Sequence, residues 1–230
     1  MDPHLLKKLN VERQARRAAL LLTDLGDGRD RLIAPGDVVA GALGQAIERS
    51  FRSGKSMSVE VEGRSYFLNV HLPPARLVII GAVHISQALV PMARIAGFDL
   101  KIIDPRTAFA TPERFDGVEL LAEWPEDVLA QSPLDSFTAL AAVTHDPKID
   151  DYALQAALEA GCFYVGALGS TKTHAKRVER LRERGLSEAD IGRIASPIGL
   201  DIGAANPEEI AVAVLAQIIA ALRQRPMGPA

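Results

Sequence analysis

The chain has 230 residues, 48% hydrophobic and 24% charged, with a formal net charge of −3, enough for one large core and a small second domain. The charge argues against broad nucleic-acid affinity, which relies on concentrated positive charge, and no apolar run is long enough to cross a bilayer, so neither is expected as a partner. The single cysteine, Cys162, excludes an intramolecular disulfide and a cysteine cluster for metal, and Met1-Asp2-Pro3-His4 lacks the order of a secretory signal, so a reducing, cytoplasmic setting is expected.

Residues 4–22 carry Leu5, Leu6, Leu9, Ala15, Ala18, Ala19 and Leu22 at amphipathic helical spacing, with Ala18 to Thr23 open to a second reading as a strand before the Gly26-Asp27-Gly28 turn. A further helix is expected from Pro35 to Ser53, ending at Gly54. Residues 58–61 and 66–70 then alternate around Glu62-Gly63-Arg64, which predicts a hairpin. Pro73-Pro74 closes a small α+β amino-terminal domain, 1–72.

Beyond that link, apolar strands at 76–80, 99–103, 118–121, 138–143 and 163–167 alternate with helices at 85–96, 125–131, 150–160, 171–184, 187–193 and 207–223. This is the pattern of an α/β fold, a Rossmann-like parallel sheet with helices on both faces, over 76–226. The last helix has start chemistry in Asn206, Pro207, Glu208 and Glu209. Its apolar residues run almost all round, which predicts deep burial. Residues 196–203 are too apolar for a free loop and are expected to pack across the sheet edge, with Asp201 either buried and paired or pointing into the ligand crevice.

In an open α/β sheet the carboxyl ends of the strands form the crevice that takes ligands. The polar residues at those ends are Gly81, Val83 and His84 after the first strand, and Asp104 and Arg106 after the second. Thr144, His145 and Asp146 follow the fourth, and Gly166 to Lys172, with Gly169 and Ser170, the fifth. Gly81, Val83 and Ser86 occupy the three places of a dinucleotide fingerprint, and only the first is glycine, which disfavours NAD(P) because Val83 stands where bare backbone meets a pyrophosphate. Asp104 follows Gly81 by about 20 residues, where such folds place a ribose-binding acid, or it caps the Asp104-Pro105-Arg106 turn. His145 with Asp146 reads either as a turn before Pro147 or as a pair that orients a proton. A metal would need His84, His145 and Asp146 to converge. Ser170 and Lys172 open a helix and suit a phosphate, whereas Lys176 and Arg177 read as its wet face.

Gly81-Ala82-Val83-His84, Asp104-Pro105-Arg106, Thr144-His145-Asp146, Gly166-Ala167-Leu168-Gly169-Ser170 and Pro197-Ile198-Gly199-Leu200-Asp201-Ile202-Gly203-Ala204 together resemble the carboxyl-terminal domain of the XdhC/CoxI family, the accessory factors of xanthine dehydrogenase and carbon monoxide dehydrogenase. The resemblance implies a non-catalytic carrier or chaperone. Such a protein binds the molybdenum cofactor (molybdopterin), assists its sulfuration with a cysteine desulfurase, and delivers it to an apo molybdenum hydroxylase. The family's glycine-rich stretch ending in cysteine has its nearest match in Gly41-Ala42-Leu43-Gly44-Gln45-Ala46-Ile47-Glu48, without the cysteine. An NAD(P)-binding oxidoreductase and a ligand-free protein-interaction subunit stand as alternatives. The apolar final helix and the small domain each suggest an isologous contact, and hence a homodimer.

Overall fold

The computed structural model describes residues 2–225 in two compact units, one of residues up to Pro73 with those from Arg223 onward, the other Pro74–Leu222. Met1 and residue 226, the end of the expected second domain, lie outside the described residues.

In the smaller unit, Asp2 accepts a hydrogen bond from the His4 amide at 2.8 Å and starts α1 (Pro3–Gln14). This helix stops well short of residue 22. Arg16 takes a left-handed φ of 52°, and the strand reading of the following residues prevails as β1 (Ala19–Asp24). Ala19 to Leu22 are all buried because β1 is an inner strand of the antiparallel order β2-β1-β4-β3, with β2 at Asp30–Ile33, β3 at Met57–Val61 and β4 at Arg64–His71. Val61 pairs with Arg64, and Glu62 and Gly63 both have positive φ, 53° and 73°, the two-residue hairpin whose twist suits its strands. α2 is Gly41–Ser53, not 35–53. A Cβ on Gly44 would collide with the Val39 carbonyl, so residues before Gly41 fold back over the helix start.

The larger unit is a six-stranded parallel sheet in the order β10-β9-β8-β5-β6-β7. The strands are β5 (Arg76–Ile80), β6 (Asp99–Ile103), β7 (Glu119–Leu121), β8 (Thr138–Ala142), β9 (Tyr164–Ala167) and β10 (Ile194–Ala195). Strand order reverses between β5 and β8, the switch point at which doubly wound sheets open a crevice. Leu77, Ile79, Ala139 and Ala141 pack on one face with α3 (His84–Ile95) and α8 (Pro207–Gln224). Val78, Ile80, Leu140 and Ala142 pack on the other with α4 (Pro125–Gln131), α5 (Pro147–Glu159), α6 (Thr171–Glu183) and α7 (Glu188–Ile191). The Rossmann-like α/β class read from the sequence is therefore the class that forms.

Four elements of this unit differ from the sequence reading. α5 begins at Pro147 rather than 150, because Asp146 caps it by accepting from the Lys148 amide at 3.0 Å. α7 ends at Ile191, and the two residues of β10 add a sixth strand too short to carry a periodicity. α8 buries only Ala211, Ala213, Val214 and Ile218 fully, and Val212 is exposed. The segment before it docks onto that helix, with the Gly199 amide donating to Gln217 Oε1 at 2.9 Å and the Leu200 amide to the Ala213 carbonyl at 3.1 Å. Asp201 is exposed there, flanked by exposed Leu200 and Ile202, so its reading as a buried, paired acid is wrong.

Candidate functional site

The turn after β5 is clamped from both sides. Gly81 has φ 120°, donates its amide to the Ile103 carbonyl at 2.9 Å, and leaves so little room that a Cβ would stand 2.9 Å from Thr144 Cγ2. The Ala82 amide donates to Asp104 Oδ2 at 2.8 Å, and Ser86 Oγ donates to the Gly81 carbonyl at 2.6 Å. Val83 takes the N-cap place of α3 with extended backbone and no side-chain cap, and its side chain packs on the apolar cluster beneath α3 and α8. His84 follows, exposed.

Asp104 is fully inaccessible and fully engaged. Besides the Ala82 amide, it accepts from the Arg106 amide at 3.0 Å, Arg106 Nε at 2.9 Å and Arg106 Nη2 at 2.7 Å. Burial alone would raise its carboxyl, but the hydrogen bonds from Arg106 and from the two amides outweigh burial and hold it below the ordinary carboxylate range. Of the two readings of Asp104, the geometry matches the turn cap: both oxygens are occupied, leaving none for a ribose hydroxyl. Arg106 also lies over the Phe109 ring, 4.6 Å from its centroid.

Across the switch point, Thr144 turns its methyl toward Gly81 and its hydroxyl away, donating to Asp150 Oδ1 at 2.7 Å and accepting from the Asp146 amide at 2.9 Å. Asp146 spends its carboxylate on the α5 cap and is not paired with His145. His145 is exposed and sits in the left-handed region at φ 65°, uncommon for a residue with a side chain. After β9, Gly169 takes φ 137° against Thr173, and Ser170 caps α6 by accepting from the Thr173 amide at 3.3 Å.

His145 and Lys172 line one cavity of about 200 Å³ with Asp150, Asp151, Thr173, Lys176, Arg177 and Arg180. Asp150 and Arg177 are buried charged groups that sequence reading missed, and placing Arg177 on the wet face of α6 was wrong. Asp150 stands four residues before Leu154 and Arg177 four before Leu181, on the buried stripe of each helix, and a charge on that stripe was the available signal. Burial pushes the Asp150 carboxyl up to about 6 against the Thr144 hydroxyl and the Arg177 charge, and burial likewise lowers Arg177. Arg177 Nη2 donates to the Leu168 carbonyl at 2.8 Å, while Arg177 Nε and Asp150 Oδ2 have no partner. Asp151 is matched by Arg180, which bonds it at 2.5 and 3.0 Å. Asp201 is not part of this cavity's lining.

Among the described residues no three His, Cys, Asp or Glu side chains form a group able to hold a metal. Cys162, two residues before β9, is buried, and burial pushes its thiol up to about 12, the reverse of a reactive thiolate. No helix among the described residues is long and apolar enough to cross a membrane. A larger cavity of about 750 Å³ in the smaller unit is lined by Val38, Val39, Gly44, Ile47, Glu48 and Phe51 among others, where the glycine-rich stretch without cysteine forms the start of α2.

Residues 77–218 match the XdhC Rossmann domain. An uncharacterized Escherichia coli protein, YqeB, is 33% identical over 168 residues, 71% of this chain and 30% of its own. The Escherichia coli molybdenum cofactor insertion chaperone PaoD is 32% identical over 146 residues, 64% of this chain and 40% of its own. A Bacillus subtilis protein named as a probable xanthine dehydrogenase subunit is 32% identical over 148 residues, 64% of this chain and 43% of its own. The chain thus spans less than half the length of these relatives. A crystal structure of a xanthine dehydrogenase from Bacillus halodurans superposes with a TM-score of 0.64 at 25% identity, over 96% of this chain and 65% of that one.

Proposed function

The chain belongs to the XdhC family, and we propose on that premise that it is an accessory factor that binds the molybdenum cofactor through its molybdopterin part and assists maturation of a molybdenum hydroxylase, such as xanthine dehydrogenase or carbon monoxide dehydrogenase. The observation that carries this reading is the match of the family model across the parallel-sheet unit, and the relative named as a cofactor insertion chaperone supports it.

The bound cargo brings a phosphate, a planar polar pterin and the metal. The residues present suit the first and leave the last alone: lysines and the buried Arg177 on α6 line one cavity, while Cys162 is inaccessible and protonated. The crevice residues Gly81, Val83, His84, Asp104, Arg106, Thr144, His145, Asp146, Gly169, Ser170 and Lys172 then divide by role. Asp104, Arg106 and Thr144 hold the turns in place, and Asp146 and Ser170 cap helices. His84, His145 and Lys172 face outward to meet cargo. Sulfur reaches the cofactor from a cysteine desulfurase without passing through Cys162, and the apo hydroxylase is the receiving partner. The carrier acts in the cytoplasm as a homodimer.

Size-exclusion co-elution with purified molybdenum cofactor tests the reading. Wild type is expected to carry about one cofactor per chain and His84→Ala markedly less. A folded chain that elutes without cofactor overturns the carrier. A parallel titration with NAD and NADP is expected to show no saturable binding, since Asp104 has no free oxygen, and light scattering is expected to give twice the 24.7 kDa chain mass. Saturable nicotinamide binding restores the oxidoreductase, and a mass of one chain removes the dimer.

A further inference from the structure

We propose that the cavity between α5 and α6 is a phosphate-binding subsite that takes the terminal phosphate of a phosphomonoester ligand. In naming the cargo's own phosphate as occupant, the proposal rests on the carrier reading above; the site itself does not.

Charge points to an anion. Four cations line the cavity: Lys172, Lys176, Arg177 and Arg180. Two anions face them, Asp150 and Asp151. Arg180 and Asp151 satisfy each other through two hydrogen bonds, so they cancel. No ion pair within 4.0 Å is found among the described residues for Lys172, Lys176 or Arg177, and Arg177 and Asp150 influence each other's protonation without touching. Three cations against one carboxylate leave a surplus of two positive charges, which a phosphate dianion neutralises.

Burial points the same way. Arg177 is 2% exposed, yet its Nε lacks a hydrogen-bond partner. A fully buried guanidinium N–H without an acceptor is rare, because water is lost and nothing replaces it. Its other contacts fix the plane of the guanidinium: Nη2 donates to the Leu168 carbonyl, leading into the Gly169 turn, and Nη1 reaches Ser196 Oγ at 3.5 Å. Arg177 is therefore a fixed buried cation that acts on an anion through its charge, with the exposed Lys172 and Lys176, one helical turn apart, free to meet its oxygens.

Size narrows the occupant. A volume of about 200 Å³ is below the range of roughly 300–1,000 Å³ typical of whole small-molecule sites. It accommodates a phosphoryl group with ordered water and leaves the rest of the ligand outside. Lys172 and Thr173, in the first turn of α6, line the cavity, which brings the positive end of that helix close to it.

The test is titration of the full chain with inorganic phosphate and, separately, with purified molybdopterin before and after phosphatase treatment, each at low and high salt. Wild type is expected to bind phosphate saturably, and Lys172→Ala/Lys176→Ala to bind it at least about tenfold more weakly; one decade is the expected loss from deleting two charge contacts. Lys55→Ala, an exposed lysine of the smaller unit, serves as the charge control and is expected to match wild type. Arg177→Lys, which keeps the charge without the planar fork, is expected to fall between wild type and the double variant. Equal phosphate affinity in wild type and the double variant, or none in either, overturns the subsite even if the cofactor still co-elutes. Phosphate binding that the double variant loses, with no difference between intact and phosphatase-treated molybdopterin, keeps the subsite and assigns it to free phosphate, which overturns the cargo assignment.

Discussion

Asp104, just beyond β6, and Asp150, in the first turn of α5 after β8, are both buried carboxylates, and their surroundings shift them in opposite directions. Asp104 accepts four hydrogen bonds, two from backbone amides and two from Arg106, and is held below the ordinary carboxylate range. Asp150 has the Thr144 hydroxyl on one oxygen, nothing on the other, and is pushed up to about 6. Both are closed to solvent, but Asp150 is the more deeply buried, so burial and satisfaction act together: a carboxylate with every lone pair engaged is structure, whereas one left short keeps capacity for chemistry. The β5–β6 side of the crevice is thus a finished turn, and the β8–β9 side is where unmet polar groups collect.

The largest effect follows from breaking the finished side. Asp104→Ala strands the Ala82 and Arg106 amides and leaves Arg106 without its partner, and is expected to cost about 3 to 5 kcal/mol in urea denaturation. A loss below about 1 kcal/mol would show that Asp104 is not the brace described. Next comes Gly81→Ala. The φ of 120° is foreign to a residue with a side chain, and Thr144 stands 2.9 Å from the new Cβ, so a loss of roughly 2 to 3 kcal/mol is expected. Because Thr144 also holds Asp150, this substitution should disturb both sides of the comparison, and a drop in phosphate affinity alongside the stability loss is the sign of that link.

How much of this is legible in the sequence depends on the range over which each feature is determined. The β3–β4 hairpin is local: Glu62-Gly63 between alternating strands fixes it. The β5–α3–β6 half-unit is nearly local, and the Gly81 and Asp104 spacing brings the acid beneath the turn. β10 is invisible in sequence because two residues become a strand only by lying beside β9. Arg177 misleads because α6 opens with Thr-Lys-Thr-His-Ala-Lys-Arg, a stretch so polar that one buried position does not stand out. Asp150 escapes notice when the start of α5 is set three residues late, which hides that it occupies the inner face of a first turn capped by Asp146. Asp201, in an apolar stretch, reads as buried or crevice-facing, but its neighbours Leu200 and Ile202 are themselves exposed. The site's frame is readable in sequence; its charge balance needs the helices brought together.

The smallest effect isolates the open side by pH. A folded-state carboxyl raised from 3.8 to about 6 means that the native chain holds this proton more tightly than the unfolded chain does. The stability it contributes is therefore full below about pH 4 and is lost as pH rises through about 6. At about 1.4 kcal/mol per unit the ceiling is close to 3 kcal/mol, and residual water in the cavity makes a change on the order of 1 to 2 kcal/mol the expected one. Asp150→Asn retains the Thr144 contact but removes the titration, so relative to wild type it should gain that amount between about pH 4.5 and pH 7.5 in paired denaturation curves. Phosphate sharpens the reading, because an anion near Asp150 favours its protonated form and carries the transition to higher pH. Identical stability differences at both pH values would mean that Asp150 is as settled as Asp104, and the contrast between the two sides of the crevice would go with it.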